Sequence, residues 1–325
     1  MSELRWQTAF LFVLFWGSFS RNKPKTARPL AGYNLKQGKP EETLYFAGGT
    51  KQKNMKVGMV GAGHVATHLV KGLVSLGIEV PVVWSRTLAS AQALADQAPA
   101  AVATQSPDLR YLPHAEVYLV AVPDLALAHV VEQLRFPAEA VVAHTSGAQP
   151  LEALAALPEG RTGVFYPLQT FSKEKDLDWR KIPLCVEGSS RQAEEVLLNL
   201  GKLLSEQVVR MNGPARRQLH VSAVFACNFT NHLWGVAQDL LQKAGLPVNL
   251  VEPLVQETVQ KAFQFPPFTV QTGPAQRGDT NTLQAHLELL GATPQYQHLY
   301  QVLTQSIQQV AQKGLVSEKE AQNGQ

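Results

Sequence analysis

The sequence predicts an α/β chain, a doubly wound parallel sheet followed by an all-helical region. Three observations predict it. A short apolar strand at 56–61 runs through a glycine turn into a helix-patterned stretch at 64–76, and a second strand follows at 79–84. The near-continuous apolar runs at 116–123 and 140–146 have the composition of parallel strands covered on both faces. Beyond Gly213-Pro214 every periodic stretch is helical and no alternating pattern competes. With 45% hydrophobic and 17% charged residues, the chain has the composition of a protein with a large core.

Residues 1–54 stand apart. They hold nine Lys/Arg against three Glu, a net charge of +6, while the whole chain carries +3, so the remaining 271 residues carry −3. The basic balance therefore belongs to the leader and gives no reason to expect nucleic acid as a partner. The apolar run at 9–16, AFLFVLFW, is short of the ~20 residues that span a bilayer, so no membrane contact is expected of the folded body. Three readings of the leader stay open: a signal or anchor, a disordered arm, or a mis-called extension upstream of a true start at Met55. Residues 21–54 lack hydrophobic period and are rich in Lys, Gly and Pro, which predicts disorder.

The stretch MKVGMVGAGHVATHL begins at Met55. Its fingerprint is Gly61-x-Gly63-x-x-Ala66, read between a strand and a helix. Gly61 permits the sharp turn, Gly63 lets a pyrophosphate approach the backbone, and Ala66 lets helix and strand pack closely. The free N–H groups and positive dipole end of the helix would face the phosphates. This predicts a Rossmann-like dinucleotide domain over 55–212, with Gly61, Ala62, Gly63, His64, Val65 and Ala66 at the cofactor. The second strand ends in Trp84-Ser85-Arg86-Thr87, with no carboxylate to hold ribose hydroxyls. Ser85, Arg86 and Thr87 suit a 2′-phosphate, which favours NADP over NAD.

In open α/β sheets ligands sit at the carboxyl ends of the strands. Val122 and Pro123 are therefore assigned to the cofactor, and His144 and Ser146 to the substrate or nicotinamide. A second reading has Thr145 and Ser146 as caps, with His144 a buried partner. Strands are also expected at 162–168, 183–186 and 207–210, with an amphipathic helix at 191–204. The segment 166–171, YPLQTF, breaks the rhythm and is read as a wall of the cleft, with Gln169 a substrate contact.

The helical region is expected over 213–325, with helices at 215–244, 249–264, 282–290 and 295–313. The long helix carries Arg217, His220, Asn228 and Asn231 as a polar line. Either these form a satisfied interhelical network, or they face the nicotinamide, with His220 as general acid and Asn228 and Asn231 beside it. Arg277, in QTGPAQRGD, could hold an anionic substrate group, with Asp279 or Thr280 capping the next helix. Glu257 and Lys261 have the spacing of a surface pair. The two cysteines, Cys185 and Cys227, lie in apolar runs without metal-ligand spacing. They are read as buried reduced thiols in a cytoplasmic protein, and no metal is expected.

Five stretches, GAGHVATHL, HTSGA, FYPLQTFS, HVSAVFACNFTNHL and QTGPAQRGD, together carry a resemblance that covers residues 55–312. The chain resembles a bacterial family of Rossmann-like proteins whose C-terminal half is known as a domain of unknown function. More distantly it is similar to pyrroline-5-carboxylate reductase, 6-phosphogluconate dehydrogenase and deazaflavin-dependent NADP reductases. The resemblance implies an NADP-dependent oxidoreductase with a helical domain of the 6-phosphogluconate dehydrogenase C-terminal type, through which such relatives dimerise. The Lys-x-x-x-Asn pattern of the superfamily's hydroxyacid dehydrogenases is missing; the helix offers His220, Asn228 and Asn231 instead. The expectation is hydride transfer to or from a small polar substrate in an interdomain cleft. Alternatives are a non-catalytic dinucleotide-sensing or scaffold protein, and an NADP oxidoreductase with a deazaflavin co-substrate.

Overall fold

The computed structural model describes residues 55–172 and 175–323. The leader, with its three readings, lies outside the described residues.

One sheet of eight strands forms the first half. Its strands are β1 (Val57–Val60), β2 (Val82–Trp84), β3 (Val102–Thr104), β4 (Val117–Val120), β5 (Val141–His144), β6 (Thr162–Pro167), β7 (Leu184–Gly188) and β8 (Val208–Arg210), in the order β3-β2-β1-β4-β5-β6-β7-β8. The order reverses between β1 and β4, which opens a crevice at their carboxyl ends. The strands from β1 to β6 pair in parallel; β7 pairs antiparallel to β6, and β8 runs parallel to β7. The expectation of a doubly wound parallel sheet is met, with one antiparallel pairing at that edge. Parallel neighbours need a crossover, usually a helix. The connection from β6 to β7 carries only a 3-10 turn (Trp179–Lys181), so β7 starts at the end where β6 stops.

Alternation along the strands builds two large cores, with a smaller third cluster of Val164, Tyr166 and Cys185 on β6 and β7. Val117 and Leu119 of β4 join one cluster with Val57, Met59 and Phe165, covered by helices α1 (His64–Ser75), α2 (Leu88–Ala95) and, near β7, α4 (Arg191–Leu204). Tyr118 and Val120 join the other with Val60, Val82 and Val142, covered by α3 (Leu127–Gln133) and the 3-10 turn Leu151–Leu154. Helix α4 was expected from its pattern and begins under a Ser190 cap. Helices α2 and α3 and strand β3 were not anticipated, since each is short and weakly patterned.

The second half is helical: α5 (Gly213–Ala223), a π-helical turn (Val224–Phe229), α6 (Thr230–Lys243), α7 (Glu252–Gln264), α8 (Pro274–Arg277), α9 (Thr280–Leu289) and α10 (Pro294–Asn323). Asp279 caps α9, as read from the sequence, and Lys261 pairs with Glu257 on the surface at 3.1 Å. Among the described residues no helix is long and apolar enough to cross a membrane.

Helix α5 is tied to the sheet by Arg216, which is fully buried. Its guanidinium pairs with Glu187 at the end of β7 and donates to the Gln149 carbonyl at 2.7 Å. The other Glu187 oxygen accepts from the Gly213 N–H at 3.0 Å. Removing one member of a buried pair leaves the other charge uncompensated. Arg216→Ala is expected to lower the unfolding free energy in urea by about 3 kcal/mol. Arg217→Ala, at an exposed neighbour, is expected to change it by less than about 0.5 kcal/mol. Equal losses for the two would place the attachment of α5 elsewhere.

Candidate active site

The site begins at the turn between β1 and α1. Gly61 has φ +108°, and a Cβ there would stand 2.2 Å from the Ala121 carbonyl oxygen beyond β4. The glycine is thus required by the protein's own packing. Gly63 is different. Its φ is −82°, ordinary for any residue, and nothing lies within 4 Å of where its Cβ would be. It is the N-cap of α1, no side chain caps that helix, and its first turn has no acidic residue. Uncapped N–H groups beside open space are what a pyrophosphate needs. The residues present therefore fit a dinucleotide. Ala66 is fully buried against the sheet.

Beside this turn lies a cavity of about 460 Å³. His64 and Val65 of α1 form one wall, Tyr166 and residues 168–171 after β6 form a second, and His220, Ala223, Val224, Cys227 and Asn228 close the third. The segment 166–171 is thus a wall of the cleft, as expected. It is strapped to α1 by two histidines one helical turn apart. His68 Nε2 donates to the Ser172 carbonyl at 2.8 Å, and His64 Nδ1 lies 3.3 Å from the Phe171 carbonyl.

The central polar contact joins the two halves: Tyr166 Oη lies 3.1 Å from His220 Nδ1. Burial, with the neighbouring Cys185, pushes the Tyr166 phenol up to about 12. The hydroxyl keeps its proton: it donates to Nδ1 when the imidazole carries its proton on Nε2, and accepts from Nδ1–H in the other tautomer. Gly147 makes the contact possible, since a Cβ there would stand 2.6 Å from the Tyr166 ring and 2.7 Å from His220 Nδ1.

Of the residues assigned from sequence, His64, Val65, Gln169, His220 and Asn228 line this cavity. Val122 lies against Gly61, and Pro123 starts the next turn at the same edge of the sheet. The Thr87 hydroxyl is spent on capping α2, bonded to Ser90, which leaves Ser85 and the exposed Arg86 beside β2. Two assignments are corrected. His144 is fully buried and both ring nitrogens are engaged, Nε2 with the Pro150 carbonyl and Nδ1 with the Ser146 N–H. The Ser146 oxygen closes a turn by accepting from Ala148 and Gln149 N–H groups. Asn231 and Arg277 are exposed and are not among the residues that line this cavity.

The π turn explains the broken polar line. It inserts about one residue into the helix. At about 100° per residue, Asn228 then falls within about 20° of His220, while Asn231 is about 80° away. The same turn leaves Cys227 exposed, so the expectation of two buried thiols holds only for Cys185. Sequence reasoning missed Tyr166 as the partner of His220, and missed Arg216 and Gly147. FYPLQTF carried the first signal, since a tyrosine at the carboxyl end of a strand points to the crevice.

Comparison with known proteins adds the following. A model described as a Rossmann-like domain matches residues 39–169, and one described as domain of unknown function DUF2520 matches residues 182–307. The crystal structure of a "putative NADP oxidoreductase" from Bacteroides fragilis is 38% identical, with 79% of this chain and 98% of that one covered at a TM-score of 0.72. A 1-pyrroline-5-carboxylate reductase from Streptococcus pyogenes is 16% identical, covering 78% and 98%, with a TM-score of 0.51. A reductive aminase from Aspergillus terreus, in complex with NADPH and ethyl-5-oxohexanoate, is 14% identical, covering 82% and 95%, with a TM-score of 0.58. The last two are similar in fold alone. No curated protein matches the sequence. The matches bear out the resemblance read from the five motifs.

His144 supplies a pH test. Burial, and then the positive charge of Arg216, holds its imidazole down at about 4, below the ordinary 6.5. The unfolded chain therefore binds this proton more tightly. The stability His144 contributes is present above pH 6.5 and is lost as pH falls towards 4. The unfolding free energy is expected to drop by about 2 kcal/mol from pH 7 to pH 5, and His144→Gln to flatten that slope. A flat wild-type profile over this range would sink the assignment.

Proposed function

We propose that this chain, which belongs to the family of Rossmann-like proteins carrying the DUF2520 domain, is an oxidoreductase that uses NADPH to reduce a small polar carbonyl or imine compound. The observation that carries the reading is one cavity walled by the dinucleotide turn (His64, Val65) and by the Tyr166–His220 pair. The 38% identical protein from Bacteroides fragilis, named for NADP oxidoreduction, supports it.

The cofactor would supply the hydride. Gly63 and the first turn of α1 would hold its pyrophosphate, and Ser85 and Arg86 the 2′-phosphate, with no carboxylate after β2 to favour NAD. In its Nε2–H tautomer His220 offers that N–H to the oxygen or nitrogen on which negative charge develops, which is where preorganised donors lower a barrier most. Transfer of that proton requires the imidazolium form, in which Nδ1–H donates to the Tyr166 oxygen in return. Tyr166 acts as a positioning residue, fixing the ring. The other polar lining side chains include His64, Gln169, Thr170 and Asn228, hydrogen-bonding groups suited to a small polar substrate.

The same reading takes the protein as a homodimer through its helical half. What supports it is the apolar surface there: Phe225, Phe263, Phe268 and Leu289 are 65%, 88%, 73% and 83% exposed. From 213 to 312 the buried apolar side chains are Ala275, Leu283 and Leu290. Exposure of several large apolar side chains supports an interface there. Sedimentation is expected to give twice the 35.5 kDa chain mass, and Phe263→Asp with Phe268→Asp to give one. A monomeric wild type would end this part of the reading.

Two variants separate binding from chemistry. Gly63→Ala is expected to weaken NADPH binding by about tenfold or more, read by fluorescence quenching, because its Cβ fills the phosphate approach. Its stability should stay equal or rise by about 0.5 kcal/mol. His220→Ala is expected to keep NADPH binding and to lower kcat about 100-fold on whichever imine, ketone or semialdehyde in a panel turns over. NADPH binding without turnover, indifferent to His220→Ala, would favour a sensor instead.

A further inference from the structure

A second cavity, of about 610 Å³, lies at the opposite end of the sheet from the dinucleotide crevice. Ala140, which precedes β5, and Arg161, which precedes β6, place it at the amino ends of those strands. Its apolar lining is core material. Leu134, Ala140 and Val142 are buried, and Phe136 and Leu157 are partly buried against the same cluster. Four charged side chains complete the lining: Arg110, Glu132, Arg135 and Arg161.

Two of these charges are already matched. Arg110 binds both oxygens of Asp108, at 2.9 and 2.7 Å, and holds that carboxyl down at about 2. Arg161 pairs with Glu139 at 2.7 Å. The other two make no ion pair within 4.0 Å among the described residues, Arg135 acting on the Asp108 carboxylate only through space. Arg135 donates only to the backbone carbonyls of Glu132 and Leu134 and has no carboxylate within 4.0 Å among the described residues. The Glu132 carboxylate likewise has no cation within that distance among them. One cation and one anion, neither in an ion pair, thus stand on an apolar hollow large enough for a small molecule.

We propose that this cavity binds an α-amino acid with an apolar side chain. The carboxylate pairs with Arg135, whose planar fork takes both oxygens. The ammonium pairs with Glu132, and the side chain lies on the floor of Leu134, Phe136, Ala140, Val142 and Leu157. A bare anion would use the arginine, leave the floor wet and meet the repulsion of Glu132. An apolar amine would use Glu132 and meet Arg135. A zwitterion with an apolar body answers all three features together.

Calorimetric titration of the full chain with L-phenylalanine, L-leucine and glycine tests this. L-Phenylalanine or L-leucine is expected to bind, and glycine to bind at least about tenfold more weakly for want of the apolar contact. Methyl esterification or N-acetylation of the ligand is expected to cost about tenfold each, and Arg135→Gln and Glu132→Gln to cost the same for the free amino acid. Both positions are exposed, so each variant should stay folded, with Glu132→Gln matching the wild-type melting temperature and Arg135→Gln losing only its bonds to the Glu132 and Leu134 carbonyls. NADPH binding should be unaffected, whichever way the catalytic reading falls. Absence of binding by both apolar amino acids, full retention of binding in both variants, or competition with NADPH would overturn the proposal.

Discussion

Arg216 is fully buried, and a buried guanidinium without a partner costs several kcal/mol. Its partners therefore dictate where the helical half can begin. Glu187 receives Arg216 on one oxygen and the Gly213 N–H on the other, so a single carboxylate on β7 fixes both the first residue of α5 and a side chain one turn later. Gln149, just beyond β5, takes another guanidinium N–H. A helix held at two points cannot slide or roll. One further turn along the same face comes His220, which this clamp delivers to Tyr166 at the end of β6. The cavity's third wall exists because that register is set.

The reversed edge of the sheet is part of the same constraint. Because β7 runs against β6, its last residues lie at the amino end of the parallel strands, and Glu187 pairs across from Val164. The parallel strands carry the dinucleotide turn at one end, while β7 and β8 lead the chain into α5. The 3-10 turn that replaces a crossover helix stays docked through Trp179, whose indole N–H donates to the His68 carbonyl at 3.1 Å. The β6–β7 connection and α1 are therefore held together at both His68 and Trp179. The wall of the cleft is built on rigid elements although it is a loop.

What the sequence made legible follows from which physical signals are local. The βαβ unit, α4 and the change of character near 213 rest on period and on turn residues, and each lies where expected. Gly61 and Gly63 were also legible, but as a pair; only the structure separates a glycine demanded by the Ala121 carbonyl from one beside open space. Signals that depend on distant residues were not legible. Arg216 and Arg217 are adjacent arginines, and nothing in the chain says which meets a glutamate twenty-nine residues earlier. Strand direction at β7 depends on a missing crossover. His144 could be a ligand or a core histidine by sequence, and burial with two satisfied nitrogens decides for the core.

The polar line on the long helix shows how a correct premise fails through one residue. Reading 217, 220, 228 and 231 at 3.6 residues per turn assumes an unbroken α-helix. A π turn costs hydrogen-bond geometry and persists where it re-aims side chains. Here it turns Asn228 into the cavity and Asn231 out, and it also presents Phe225 and Phe229 outward, packed edge-on at 5.0 Å. The seam between the halves thus has two faces. One is the polar pair with Asn228; the other is the apolar surface that the proposed second copy would cover. Covering it would exclude water from the same turn that holds Asn228, and hydrogen bonds in a drier cavity are electrostatically stronger. Dimerisation and the strength of the His220 donor would then be coupled through one irregular helical turn.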